Sequence, residues 1–270
     1  MTIISNDFIE LLQNLSGDIV NSLQSLSPEV VWALQLVFCF GSILFLLRTF
    51  GKEGLFAYIV LAIIAANIQV IKVVDFSLYD DPIPLGTILF CTIFLCTDIL
   101  TEYYGKEAAK KAVWLSFAAY LVFVILMIFT LGFQPLSTVD NILGFSWAIP
   151  KHGHIEGVFS QSLTLLTAGM IAYLVSQYHD IWIYNAIKWL TKGRYLWVRN
   201  NVSTLVSGLI DNTIFSVLAW VVLATDPVDN HTLIFTYILG TYLIRVVVAV
   251  LDTPFIYLAQ YMLPKSEKRS

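Results

Sequence analysis

Long runs of apolar residues dominate this chain, and the polar segments between them are short. Seven such stretches cover 29–48, 54–74, 83–104, 109–133, 157–178, 203–224 and 232–260. Each approaches or exceeds the ~20 residues that a helix needs to cross the ~30 Å hydrocarbon layer of a bilayer. The breaks between them have local causes. Asp80-Asp81-Pro82-Ile83-Pro84 cannot continue a helix, because proline lacks a donor N–H and drives the preceding residue toward extended backbone. Asp226-Pro227 divides the sixth and seventh stretches in the same way. The one long connection, 134–156, carries Pro135 and Pro150. The pattern predicts an all-α fold, a polytopic bundle of seven transmembrane helices. It divides the chain into an extracytoplasmic segment over 1–28, a membrane domain over 29–263 and a cytoplasmic tail over 264–270.

Two segments outside the apolar runs have patterns of their own. In 1–28, Phe8, Leu11, Leu12, Leu15, Ile19, Leu23 and Leu26 share a broad helical face. That suits an amphipathic helix lying on the outer leaflet, with an unstructured extension as the alternative. Over 179–199, Trp182, Tyr184, Trp189, Tyr195 and Trp197 lie among basic residues, as aromatics at the headgroup level do.

Composition excludes the soluble alternative. The chain is 58% hydrophobic and 13% charged, with a mean hydropathy of +0.77, where soluble domains carry roughly 45–50% apolar and about 25% charged residues. The net charge of −4 and the lack of a basic stripe argue against a nucleic-acid partner. Cys39, Cys91 and Cys96 all lie inside apolar runs, so they are expected to pack as small hydrophobes rather than to form disulfides or hold a metal. No cleavable signal peptide is expected, since Asp7, Glu10 and Asp18 stand where a basic n-region belongs. Counted by alternate loops, twelve Lys and Arg residues fall on one side of the membrane and two, Lys72 and Lys151, on the other. The positive-inside rule then puts the N-terminus outside and the C-terminus in the cytoplasm of a multi-pass inner-membrane protein.

The remaining cation, Arg245, lies within a span, as do Asn67, Gln69, Asp98, Asp211, Asn212 and Asp252. An Asp or Arg at a helix centre costs about 2.5–3.5 kcal/mol on insertion scales, so these residues must face one another or a wet cavity. One Arg cannot neutralise three carboxylates. Asp98 and Glu102 share a helix face at i, i+4, and Lys106 is the simplest partner for Glu102. Arg245 and Asp252 share a face two turns apart. The chain has no His-Glu-x-x-His, G-x-S-x-G or Walker A motif, and no enzyme activity or cofactor is expected. His152 and His154 read as solvated loop residues, and His179-Asp180, at the cytoplasmic end of the fifth span, as a helix-terminus pair, with a proton relay as the alternative.

Three segments in order resemble a known family. The first is Thr97-Asp98 through Gly105, a T-D-x-x-x-x-x-x-G pattern; the second is Ala172-Tyr173 through His179-Asp180 and on to Asn185. The third runs from Arg199 through Ser203-Thr204 and Gly208 to Asp211-Asn212-Thr213. Together they resemble the queuosine-precursor transporter family, also called the vitamin uptake transporter family, over about 54–263. Typical members have six spans, so 29–48 reads as an extra N-terminal helix. The resemblance implies a bundle similar to the substrate-binding components of energy-coupling-factor vitamin importers, and extends to a homodimer. It implies import of 7-deazaguanines such as 7-cyano-7-deazaguanine, 7-aminomethyl-7-deazaguanine or queuine. The substrate-binding candidates are then Asn67, Gln69, Asp98, Glu102, Gln177, Asp211, Asn212, Arg245 and Asp252. A carboxylate can accept both N–H donors of a guanine-like edge in a bidentate pair, an amide or guanidinium can reach its O6, and aromatics can cover the ring. The same excess of acid suits a cation or proton site, and another vitamin or purine fits the residues as well.

The expected topology is directly testable. A cysteine probe near Ser5 should react with an impermeant reagent added outside cells, and one near Ser270 should not. The reverse pattern, or both ends on one side, would overturn the assignment.

Overall fold

A computed structural model describes residues 6–77, 82–136, 145–159 and 162–264. Helix α1 (Asn6–Gln24) precedes α2 (Pro28–Gln69), which spans two of the apolar stretches. In α1 the side chains of Leu15, Ile19 and Leu23 stay exposed. A straight α2 would hold Gln35 and Gln69 roughly 50 Å apart at 1.5 Å per residue. Instead Gln35 Nε2 donates to Gln69 Oε1 at 3.1 Å, because the chain doubles back at Gly51 (φ 62°, ψ −141°). That conformation is open to glycine and costly for other residues. The two arms then pack so closely that a Cβ on Gly54 would lie 2.4 Å from the Leu46 carbonyl oxygen.

The second stretch ends five residues earlier than its apolar run suggests. Val73–Val74 (β1) and Ile83–Pro84 (β2) form a minimal antiparallel pair, with Val74 opposite Ile83. The proline-rich segment therefore takes Val73 and Val74 out of the helix as well as delaying the next one. Helix α3 (Thr87–Tyr103) follows, and nearly every residue from Thr87 to Thr101 is buried. It is the central post, packed against α2, α4 (Lys106–Gly132), α6 (Ser162–Leu190), α7 (Leu196–Val217) and α8 (Thr241–Met262). Gly105, at φ 86°, makes the tight turn from α3 to α4.

The fifth apolar stretch straddles two helices, the end of α5 (Ile149–Phe159) and the first part of α6. Residues 179–190, expected as an interfacial connection, continue α6. The actual turn comes at Lys192 to Tyr195, where Lys192, Gly193 and Tyr195 all have positive φ, and α7 begins seven residues before its apolar run. Beyond Val217 the helix widens to π-helical geometry over Leu218–Val222, and a second π-helical segment, Thr232–Gly240, leads into α8. Asp229 stands ahead of that second segment. Its carboxylate accepts from the backbone N–H of His231 (2.8 Å) and Thr232 (3.1 Å) and from the Thr232 hydroxyl (2.6 Å). These bonds hold its pKa below the ordinary carboxylate value.

Among the described residues, four helical stretches are long and apolar enough to cross a membrane: Pro28–Gln69, Lys106–Gly132, Leu196–Val222 and Thr232–Met262. Large apolar side chains such as Phe38, Phe45, Leu61 and Phe129 point outward from them, each more than 60% exposed, which an aqueous surface disfavours and hydrocarbon does not.

The close approach of the α2 arms is testable. Gly54→Ala must push backbone against backbone, so the arms should separate. Overpacking costs typically 1–3 kcal/mol, and the midpoint of heat-induced aggregation in detergent should fall. A Gly41→Ala control, where nothing lies within 4 Å of the added carbon, should leave it unchanged.

Candidate functional site

Most of the polar residues of α7 form its inward face. Arg199, Asn200, Ser203, Thr204, Ser207, Asp211, Asn212 and Ser216 are all buried, at helical spacing that places them on one side. Partners from α3, α6 and α8 complete a polar column with three layers, numbered here from the Gly105 end.

The first layer is an ionic clamp. Arg199 grips Glu102 through Nε to Oε2 (3.0 Å) and Nη2 to Oε1 (2.8 Å), a bidentate contact. Lys188 Nζ (3.1 Å) and the Tyr184 hydroxyl (3.0 Å) also reach Glu102 Oε2. Arg199 Nη1 bonds the carbonyls of Gly193 (3.2 Å) and Arg194 (3.0 Å), fixing the α6–α7 turn. Glu102 therefore joins three helices through Arg199 and Lys188, and Lys106 is not its partner. This layer reads as architecture rather than as a ligand site.

The second layer is acidic. Asp98 from α3 and Asp180 from α6 are fully buried, and Asp252 from α8 is 1% exposed. Thr204 Oγ1 donates to Asp98 Oδ2 at 3.3 Å and Asn200 Nδ2 to Asp252 Oδ1 at 2.8 Å. The carboxyl groups of Asp98 and Asp180 meet each other directly, with Ser203 and Ser207 beside Asp180.

The third layer, two turns further along α7, adjoins a cavity. Arg245 Nη2 lies 2.7 Å from Asp211 Oδ2, and Ser176 Oγ donates to Asp211 Oδ1 at 2.9 Å. Arg245 Nε and Nη1 remain buried without a partner. Asn212 Nδ2 donates to the Ile238 carbonyl at 2.7 Å. Asp211, Asn212 and Arg245 line the cavity together with Phe90, Trp220 and Tyr237. Trp220 and Tyr237 stack, with ring centroids 4.7 Å apart and planes at 22°. Each comes from one of the two π-helical segments, a geometry often found at functional sites. The cavity volume is about 40 Å³, room for roughly three waters.

The nine residues expected at the site are thus dispersed. Asp211, Asn212 and Arg245 come together at the cavity. Asp98 and Asp252 lie in the layer below, and Glu102 in the clamp. Gln177 accepts from Thr97 Oγ1 at 3.1 Å beside the column. Asn67 turns back on its own helix, donating to the Ile63 carbonyl at 2.8 Å, and Gln69 pairs with Gln35; neither reaches Arg245 or Asp211. Asp180, Asn200, Ser176, Trp220 and Tyr237 were not among those nine candidates, although Ser176 and Asp180 fall within the second family motif. The spacing of Asn200, Thr204, Ser207 and Asp211 was the available signal for the α7 face. Nothing distinguished Trp220 or Tyr237 from the chain's many other aromatics.

A helical bundle with an apolar exterior and a polar column leading to a cavity is the architecture of a multi-pass membrane transporter. The sequence model of the family described as "Putative vitamin uptake transporter" matches residues 84–259, and the chain belongs to this family of queuosine-precursor transporters. A Bacillus subtilis (strain 168) protein named "Probable queuosine precursor transporter" is 34% identical over 246 residues, 88% of this chain and 97% of that one. No solved structure matches the chain.

The clamp generates a stability prediction. Glu102→Ala strands Arg199, whose side chain is 3% exposed, and breaking such a buried pair costs about 3–5 kcal/mol. The variant should show much lower abundance and a lower melting midpoint. Glu102→Gln, which still accepts hydrogen bonds, should recover part of the loss. Normal melting of the Ala variant would show that the clamp carries no stability.

Proposed function

We propose that this protein imports queuosine precursors, 7-deazaguanines such as 7-cyano-7-deazaguanine, 7-aminomethyl-7-deazaguanine or queuine, and that the Asp211–Arg245 cavity is where the base binds. The observation that carries the reading is a carboxylate and a guanidinium with spare hydrogen-bonding capacity beside a pair of stacked aromatics. Asp211 has roughly four lone-pair directions, and Arg245 and Ser176 occupy two of them. The other two suit the N1–H and N2–H of a guanine-like edge. Arg245 can keep Asp211 through Nη2 and give Nη1, now unpartnered, to O6. Trp220 and Tyr237 supply faces for the rings, and because the cavity is small they must part to admit them.

In this reading the two arms of α2 each cross the membrane, and with α3, α4, α6, α7 and α8 they make seven passes. Residues 1–28 lie outside, 29–263 form the membrane domain and 264–270 are cytoplasmic. The basic loops put the clamp at the cytoplasmic end and the cavity toward the outside, where an importer first meets its solute. Asp98 and Asp252 belong to the path below the cavity. A homodimer is part of the proposal, with no site residue drawn from the second copy.

Affinity measured by ligand-induced thermal stabilisation tests the recognition. Removing the 2-amino group should weaken binding by about tenfold to more than a hundredfold, the equivalent of about 1.5–3 kcal/mol for a hydrogen bond to a charged group. Trp220→Ala should weaken every base in the panel, by about 1–3 kcal/mol of lost stacking, and Trp220→Phe much less. Equal affinity for a 7-deazaguanine and its 2-deamino analogue would defeat the assignment of Asp211, and stabilisation by a different vitamin or purine alone would replace the substrate class. Uptake by the purified chain in liposomes separates a transporter from a capture subunit that needs a separate energising complex.

A further inference from the structure

The middle layer has more acceptors than donors. Asp98 Oδ1, both carboxyl oxygens of Asp180, Asp252 Oδ2 and Asn200 Oδ1 are buried and accept no protein hydrogen bond. Asn200 is itself fully buried and is held toward this layer by its bond to Asp252, so its free oxygen adds a neutral acceptor to an already acidic place. Asp98 and Asp180 approach each other within hydrogen-bonding reach. A hydrogen bond between two carboxyl groups requires a proton on one of them.

Among the described residues, no Lys or Arg takes its place. Around the pair stand Asp252 of α8, Tyr184 of α6, and Ser203, Thr204 and Ser207 of α7, with His179 bonded to Ser207 and Asn200 to Asp252 behind them. The nearby Arg199 is committed to Glu102 and to two backbone carbonyls. One side of the layer holds exchangeable groups. Ser207 lies beside Asp180, and its Oγ is 2.9 Å from His179 Nδ1. His179 is only half-buried, so a hydroxyl and an imidazole stand between Asp180 and the bundle's edge.

We propose that Asp98 and Asp180 form a one-proton site, loaded and emptied through Ser207 and His179, that couples proton movement to solute import. With the proton present, one carboxylic acid donates to the other carboxylate and α3 is joined to α6. When it leaves by way of Ser207 and His179, two anions face each other in a buried place and repel. The helices must then shift apart or admit water, so emptying the site changes the packing just below the cavity. Solute binding above and proton occupancy below thereby act on the same helices. The coupling rests on the importer reading; the protonated pair does not.

Two measurements separate those claims. The first is infrared difference spectroscopy of the purified protein at neutral pH, which requires no solute. The protonated carboxyl C=O band of the wild type should diminish in Asp180→Asn and in Asp98→Asn; spectra without that difference overturn the shared proton. The second uses proteoliposomes with 7-cyano-7-deazaguanine. An inward gradient of one pH unit should drive accumulation up to about tenfold above equilibrium for one proton per solute, with alkalinisation of a weakly buffered exterior. Asp180→Asn should lose the accumulation yet still bind the solute in detergent. Wild-type uptake that stops at equilibrium, or that answers to a sodium gradient and not to pH, overturns the coupling. If the wild type does not bind this solute at all, the substrate reading fails, and the infrared result still decides the proton site.

Discussion

Hydrocarbon cannot hydrogen-bond, and every polar atom at lipid depth has to find its partner within the protein. That constraint organises this bundle. It turns the Asn200-to-Asp211 face of α7 inward, makes α3 the buried post against which the other helices pack, and leaves the outer surface to residues such as Phe38 and Phe129. It also explains how helical geometry can widen near the cavity. Thr241 Oγ1 (2.7 Å) and Ser216 Oγ (3.4 Å) both donate to the Tyr237 carbonyl, and Asn212 donates to that of Ile238. Side chains thus serve carbonyls within the second wide segment.

The three layers meet the same constraint in different ways, and the differences separate architecture from function. In the first, opposite charges are matched nearly to saturation around Glu102 and Arg199, which suits a fixed joint between α3, α6 and α7. In the third, Asp211 and Arg245 are paired but keep unused capacity, which suits a place where a polar solute exchanges for water. The second layer is the unbalanced one, with carboxyl facing carboxyl. Such imbalance at lipid depth is expensive.

Much of this was legible in the residues. The apolar runs located the long helices, and the intramembrane Asp and Arg residues marked the column, because both follow from transfer costs that act on residue type alone. The family motifs fell on its walls: Thr97-Asp98, Ser176 to Asp180, and Asn200 to Asp211. What was not legible depended on tertiary context. Helix α7 begins at Leu196 and not near 203 because Arg199, though charged, is neutralised by Glu102 from a helix nearly a hundred residues earlier. Asp180 looked like the end of a span, but α6 runs on for ten residues beyond it. Asn67 and Gln69 had the right chemistry and depth, yet a local bond to the Ile63 carbonyl and a bond across the α2 reversal to Gln35 absorbed them.

The widened turns next to the cavity hold one residue of slack. A π-helical turn closes its bonds five residues apart where an α-helix closes them four apart. Passing that extra residue along the helix exchanges one set of backbone bonds for another, without unwinding a turn. Side chains the slack passes are re-aimed around the helix axis while the helix stays continuous. Trp220 and Tyr237 both stand on such turns, so the aromatic pair that roofs the cavity is mounted on backbone that can change register without melting.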